Sequence, residues 1–211
     1  MFSSSMSRDA PIKGNRVEGL LGGEKTLIIV DWDDTLLPTT WLSWNKELDL
    51  KNTNFGGIVR DFLKKATELG QVVIVTNADP RWVYETSELY LPEILYYLRV
   101  IPICSARQFA KGDPSDMKNW KYRAFNCVIQ QFSNSFEGIK NIISIGDSQW
   151  DRDAVFNVFE NNKRVEIIPK AVKFLGSPSF EALGEEILIL TSKLEEIVMT
   201  DGANVYEMER W

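Results

Sequence analysis

The chain has 211 residues, 44% of them apolar and 26% charged, which is typical of one globular domain with a sizeable core. The sequence contains no histidine, and this excludes imidazole as a general base, a nucleophile or a metal ligand. Its formal charge of −6, without a dense run of Lys and Arg, argues against a protein that wraps nucleic acid.

Membrane insertion and secretion are also disfavoured. No apolar run reaches the roughly 20 residues that a membrane helix needs, and the amino terminus lacks the hydrophobic core of a signal peptide. The two cysteines, Cys104 and Cys127, are too few for a disulfide framework. We therefore expect an intracellular, cytoplasmic protein with neither a membrane nor a nucleic-acid partner. A nuclear location and the oligomeric state stay open.

Short apolar strands alternate with amphipathic helices along most of the chain. We expect a flexible N-terminal arm at 1–24, an α/β domain at 25–199 and a C-terminal tail without a clear pattern at 200–211. The predicted strands are 26–31, Gln71–Thr76, Arg99–Ile103, Asn141–Ile145 and Val165–Ile168. The predicted helices are Ile58–Leu69, Arg81–Tyr90, Met117–Phe132, Trp150–Glu160 and Phe180–Val198. This alternation predicts a single-domain doubly wound parallel sheet flanked by helices, with ligands bound at the carboxyl ends of the strands.

The first predicted strand runs directly into three carboxylates. Because side chains alternate along an extended chain, Asp31 and Asp33 point to the same side and both can meet one ligand. Carboxylates held close together repel one another, and a hard divalent metal ion offsets this repulsion. A solvated acidic turn is the plain alternative, and it fits a single carboxylate better than this group.

The second predicted strand ends in Thr76 and Asn77, a hydroxyl and an amide. Thr76 is suited to donate a hydrogen bond to a phosphoryl oxygen. Threonine is also common in strands because of its β-branching, so this residue alone does not establish a site.

Another strand ends in Gly146-Asp147-Ser148 and turns into a helix that carries Asp151. Asp and Ser at this point are also ordinary helix caps. The helical phase favours more than a cap, because Asp151 shares the inward apolar stripe whereas Asp153 points to solvent. An acid on a buried face requires a partner, either a metal or a lysine.

Helical phase also selects a lysine. In the helix that begins at Met117, Lys121 falls on the centre line of the apolar stripe, and Lys118 lies some 60° away from it. Lys121 either extends its ammonium to solvent or faces the carboxylates and a phosphate. We take Lys121 as the first candidate and Lys118 as the second.

Taken in order, these residues resemble the four motifs of the haloacid dehalogenase superfamily, most of whose members are phosphatases. The resemblance spans residues 26–155, and its first and fourth motifs are specific. The residues that carry it are Asp31-x-Asp33-x-Thr35, Thr76, Lys121 and Gly146-Asp147-Ser148-x-x-Asp151.

The resemblance implies a phosphate-monoester hydrolase that forms an aspartyl-phosphate intermediate. Asp31 would be the nucleophile, and Asp33 would protonate the leaving oxygen and then activate water. The presence of Asp33 favours ester hydrolysis over dehalogenation. Thr76 and Lys121 would bind phosphoryl oxygens and stabilise their charge.

The same resemblance implies Mg²⁺ as the cofactor. Its ligands would be the carboxylates of Asp31 and Asp147 and the backbone carbonyl of Asp33. Asp151 would support either the metal or Lys121. Little room exists for a cap insertion, which predicts an open site suited to a phosphoprotein or another large phosphorylated substrate.

Three rival interpretations differ in class. A phosphoacceptor receiver domain also combines acids, Thr and Lys, but its motifs follow another order. A non-catalytic phospho-ligand binding protein would usually lack Asp31 or Asp33, and neither is lost here. A phosphotransferase or mutase of the same superfamily remains open, because an aspartyl phosphate can also be passed to a sugar.

Overall fold

The computed structural model describes residues 2–4, 25–45, 50–110, 116–135, 137–162 and 166–208. The strands are β1 Phe2–Ser4, β2 Thr26–Val30, β3 Gln71–Thr76, β4 Ile103–Ser105, β5 Lys140–Gly146, β6 Ile167–Lys173 and β7 Asn204–Met208. The helices are α1 Thr39–Trp44, α2 Phe55–Leu69, α3 Pro80–Tyr90, α4 Leu95–Leu98, α5 Met117–Asn134, α6 Gln149–Asn161 and α7 Phe180–Met199. None of these helices is long and apolar enough to cross a membrane.

The seven strands form one sheet in the order β1-β7-β6-β5-β2-β3-β4. Six of them are parallel, and β1 adds an antiparallel strand beside β7. β3 and β4 lie on one side of β2, whereas β5, β6 and β7 lie on the other. The strand order therefore reverses between β2 and β5, where doubly wound sheets bind their ligands. The predicted doubly wound α/β fold is confirmed, with a mixed rather than wholly parallel edge.

Helices cover both faces of this sheet, which explains why β2 is apolar without interruption. Ile28 and Val30 contribute to one core cluster, together with residues of α2 and α7. Leu27 and Ile29 contribute to the other, together with residues of α5 and α6. Because both faces are buried, β2 holds whatever follows it in a rigid position.

Side-chain caps fix the turns that follow β3 and β5. Asp79 accepts a hydrogen bond from the backbone N–H of Arg81 at 2.9 Å, and Pro80 begins α3. Ser148 accepts one from the backbone N–H of Asp151 at 3.3 Å and caps α6, which begins at Gln149. Caps of this kind satisfy backbone donors that a helix start leaves unpaired. Both helices consequently start directly beside the carboxyl edge of the sheet.

The third predicted strand is displaced. Its predicted range was Arg99–Ile103, but the structure places β4 at Ile103–Ser105. The chain before it is still turning after α4, since the Val100 and Ile101 N–H groups donate to Tyr97 O. Extended pairing begins only at Pro102, whose carbonyl accepts from the Ile74 N–H at 2.9 Å.

Both chain ends contribute strands to the sheet. The predicted tail contains β7, which pairs with β6 and buries Tyr206 and Met208. Within the predicted arm, Phe2–Ser4 forms β1. Residues 1 and 5–24 lie outside the described residues, as do 209–211.

The two intervals in which a cap would be inserted hold only small elements. Between Thr35 and α2, the described residues contain α1 and a 3₁₀ turn at Leu50–Asn52. Between Thr76 and α5, they contain α3, α4, β4 and two 3₁₀ turns. No additional domain lies within the described part of either interval.

Candidate functional site

Three carboxylates meet where the strand order reverses. Asp31 directly follows β2, and its N–H donates to Ile145 O at 2.9 Å, so it continues the pairing with β5. Asp147 directly follows β5, and Asp151 lies in the first turn of α6. One carboxylate oxygen from each of the three lies within 4.8 Å of the others. Sequence positions far apart are thus brought to one point at the edge of the sheet.

Lys121 is the counter-charge of this acidic group. Its side chain is fully buried in α5, and its Nζ lies 2.8 Å from Asp31 Oδ1 and 2.7 Å from Asp151 Oδ1. The same Nζ donates to Val75 O at 3.0 Å. All three ammonium protons therefore have acceptors, which a buried cation requires. The predicted burial of Lys121 is confirmed, and Lys118 is exposed on the same helix.

Burial and mutual charge set the titration of this group. Burial raises the pKa of Asp31 to about 8, Lys121 opposes that shift, and Asp151 adds to it. Burial lowers the pKa of Lys121, but Asp151 and Asp31 more than offset this and hold it above its ordinary value. Lys121 therefore stays charged, while the acids around it repel one another.

Asp147 is the acid with the most unused acceptor capacity. Its backbone N–H donates to Thr35 Oγ1 at 3.1 Å, but no hydrogen bond among the described residues reaches its carboxylate. Burial raises its pKa to about 6, with the charges of Asp151 and Asp34 adding to the shift. Full ionisation of Asp147 and Asp31 needs positive charge beyond that of the buried lysine, and carboxylate oxygens are ligands that Mg²⁺ prefers. The residues present therefore fit a hard divalent cation.

Asp151 is more fully engaged than the other two acids. Its Oδ1 accepts from Lys121, and its Oδ2 accepts from the Ser148 hydroxyl. A Cβ on Gly146 would lie 2.5 Å from Asp151 Cγ, so the glycine is needed for this close approach. Asp153 is exposed, as its helical phase predicts. Of the two roles predicted for Asp151, the contacts favour support of Lys121.

Asp33 lies outside the group of three. Its Oδ1 accepts hydrogen bonds from Thr39 Oγ1 at 2.7 Å and from Trp82 Nε1 at 2.9 Å. Thr39 is the first residue of α1, and Trp82 lies in the first turn of α3. The carboxylate of Asp33 is thus held by two segments that the sequence analysis did not include in the site.

Thr76 and Asn77 stand at the carboxyl end of β3, the strand beside β2. Thr76 is fully buried, and its Oγ1 accepts from the Ala78 N–H at 3.0 Å. This bond leaves the proton of the hydroxyl free to be donated. The Oδ1 of Asn77 is buried with no hydrogen-bond partner among the described residues.

Some of these residues carried no signal that sequence reasoning can detect. Thr39 and Trp82 reach Asp33 only through the placement of α1 and α3, and neither has a motif around it. Ser148 was visible as part of a motif, and its bond from the Asp151 N–H is an ordinary helix cap. Its second bond, donated to the Asp151 carboxylate, was not predicted. Neither a scan against family models nor a search of curated proteins found a match to this chain.

Proposed function

We propose that this chain is a Mg²⁺-dependent phosphate-monoester hydrolase of the phosphatase type within the haloacid dehalogenase superfamily. The observation that carries the proposal is the meeting of Asp31, Asp147 and Asp151 with the buried Lys121 between β2 and β5. A carboxylate held beside a cation at a topological switch point is suited to accept a phosphoryl group.

In the first step, an oxygen of Asp31 bonds to phosphorus while the bond from phosphorus to the ester oxygen breaks. The electron pair of that bond goes to the leaving oxygen, which takes a proton from Asp33. Asp31 then carries the phosphoryl group, and the alcohol departs. The position of Asp33 two residues after Asp31 supports this division of roles.

In the second step, water attacks phosphorus and gives a proton to Asp33. The bond between phosphorus and Asp31 breaks, which restores the carboxylate and releases inorganic phosphate. Lys121 stabilises the negative charge that moves between Asp31 and the phosphoryl oxygens. The Thr76 hydroxyl and the Asn77 side-chain N–H groups would donate hydrogen bonds to those oxygens from the neighbouring strand end.

The carboxylates of Asp31 and Asp147 and the backbone carbonyl of Asp33 are the proposed ligands of Mg²⁺. When bound, the cation supplies charge that offsets the phosphate and lets an anionic carboxylate approach it. Asp31 has an oxygen, Oδ2, to which no hydrogen bond is donated within the described ranges, and Asp147 has two. These free oxygens support the assignment.

The substrate is proposed to be large, with a phosphoprotein as the leading class. The support is the small size of the elements between Thr35 and α2, where a cap would restrict access. An open edge admits a phosphorylated side chain that stands out from a folded partner.

The test compares the wild type with Asp31→Asn on an aryl phosphate, with Mg²⁺ and with a chelator. We expect hydrolysis that needs the metal and falls by at least about 10³-fold in the variant. In ¹⁸O-labelled water, a single turnover should leave the label in the released phosphate. Even repeated turnover should leave no label in Asp31, because water attacks phosphorus rather than the carboxyl carbon.

Asp153→Asn is the matched control, since Asp153 is an exposed aspartate of α6 that contacts only Gln149 in the described structure. It should retain wild-type activity. If the wild type binds Mg²⁺ but hydrolyses no phosphate ester, the proposal fails and a non-catalytic binding role takes its place.

A further inference from the structure

Asp33 is held at one oxygen only. Trp82 Nε1 and Thr39 Oγ1 both donate to Asp33 Oδ1, at 2.9 and 2.7 Å. Within the described ranges no hydrogen bond reaches Oδ2. Oδ1 therefore accepts from two donors, and Oδ2 accepts from none of the described residues. When Asp33 is protonated, the proton belongs on Oδ2, because a proton on Oδ1 would meet the Trp82 N–H and the Thr39 O–H.

The helix that carries Trp82 is itself tied to the first motif. The buried Trp32, which follows Asp31, donates from its Nε1 to Thr86 Oγ1 at 3.2 Å. Thr86 in turn donates to the backbone oxygen of Trp82 at 2.6 Å. The backbone of Trp82 is thus tied to the strand end from which Asp31 and Asp33 project.

The exposure of Trp82 argues against a purely structural role. Its side chain is 39% exposed, so the ring adds little to the core, in contrast to the fully buried Trp32. The N–H of this half-exposed indole is nevertheless directed at a carboxylate. An exposed tryptophan needs no such partner to satisfy its donor, because water is available.

We propose that Trp82 and Thr39 are positioning residues for the acid step, an inference that rests on the proposed function. They orient Asp33 so that Oδ2 carries the proton toward the leaving oxygen. As the ester bond to phosphorus breaks, its electron pair goes to that oxygen, the Oδ2 proton moves to it, and Asp33 becomes a carboxylate. The two hydrogen bonds at Oδ1 strengthen as this negative charge develops.

The test varies the leaving group. A nitrophenyl ester departs without a proton, whereas a simple alkyl ester requires one, so only the alkyl ester depends on correct placement of the acid. For Trp82→Phe we expect kcat/KM with the alkyl phosphate to fall by about 10- to 100-fold, and kcat/KM with nitrophenyl phosphate to change by less than about 3-fold. The quantity kcat/KM reports only the steps up to formation of the phosphoryl enzyme, so it does not include the later attack of water.

Two further substitutions make the test specific. Thr39→Val should reproduce the selective loss, and Thr39→Ser should restore the alkyl reaction because it keeps the hydroxyl. Tyr84→Phe is the matched control, since it removes another donor from α3, one directed at Leu98 O rather than at Asp33. It should leave both rates unchanged.

An equal loss on both esters in Trp82→Phe, or no loss on either, would overturn the positioning role while the phosphatase activity of the wild type stands. A wild type that hydrolyses neither ester would overturn the proposed function, and this role with it. The two failures are therefore distinguishable in one set of measurements.

Discussion

Glu186 is a buried acid of α7 whose ionisation is opposed by its surroundings. Its Oε1 accepts a hydrogen bond from the Leu175 N–H at 2.8 Å, but its Oε2 is buried without a partner among the described residues. Burial raises its pKa from 4.5 to about 7, and this bond and Lys173 only partly oppose the shift. At neutral pH the folded protein therefore holds this carboxyl partly protonated.

This shift predicts a pH dependence of stability. Between pH 4.5 and about 7 the folded state binds the Glu186 proton and the unfolded state does not, so the free energy of unfolding falls as pH rises through this window. Glu186→Gln removes this titrating carboxyl group. From pH 5 to pH 8 its free energy of unfolding should gain about 2 kcal/mol relative to the wild type, measured by urea denaturation with chelator present.

The exposed neighbour Glu185 provides the control, because Glu185→Gln should keep a constant difference from the wild type across the same range. A constant difference for Glu186→Gln as well would contradict the prediction.

At the residue scale, the sequence was informative where periodicity placed a charge on an apolar face. Helical phase was sufficient to choose Lys121 and Asp151 over Lys118 and Asp153, because a buried charge stands out in a stripe of apolar residues. Trp82 could not be found in this way. Its contact with Asp33 depends on the direction in which α3 leaves β3, which no local pattern encodes.

At the scale of elements, the junction between β5 and α6 is the tightest part of the site. Gly146→Ala would place a Cβ 2.5 Å from Asp151 Cγ and displace the carboxylate that holds Lys121. We expect a loss of about 1 to 3 kcal/mol in the free energy of unfolding. Chemical denaturation of the purified variant measures it.

Gly176→Ala is the matched change, since a Cβ there would meet no atom within 4 Å. Its effect should stay within about 0.5 kcal/mol of the wild type. Equal stability of the two variants would contradict the close contact at Gly146.

Elements were predicted well where the apolar run was long and bounded by turn residues. β3 has the predicted bounds, and α5 and α7 begin at the predicted residues, because each combines a clear period with a distinct start. β4 was misplaced because its three residues carry almost no pattern, and the apolar residues just before it belong to a turn.

At the scale of the whole molecule, the C-terminal strand β7 joins β6 to the edge strand β1. β7 was missed because its five residues follow no preceding pattern, yet Tyr206 and Met208 reach the core shared with α2 and α7. Tyr206→Ala should therefore lower the free energy of unfolding by about 3 kcal/mol, as measured by urea denaturation.

Glu207 is exposed between these two residues, so Glu207→Ala should change stability by less than about 0.5 kcal/mol. If Tyr206→Ala is equally mild, the C-terminal strand contributes nothing to the folded core in solution.

The strand order also sets when the group of Asp31, Asp147, Asp151 and Lys121 can assemble while the chain is being synthesised. β3 follows β2 after α1 and α2 and can pair with it once it has emerged, but the other neighbour of β2 is β5, which follows Lys121 in the chain. Until β5 and α6 have emerged, Asp31 has neither its second flanking strand nor the Asp151 that anchors its lysine. A nascent or truncated chain that ends before α6 therefore has no enclosed acidic centre.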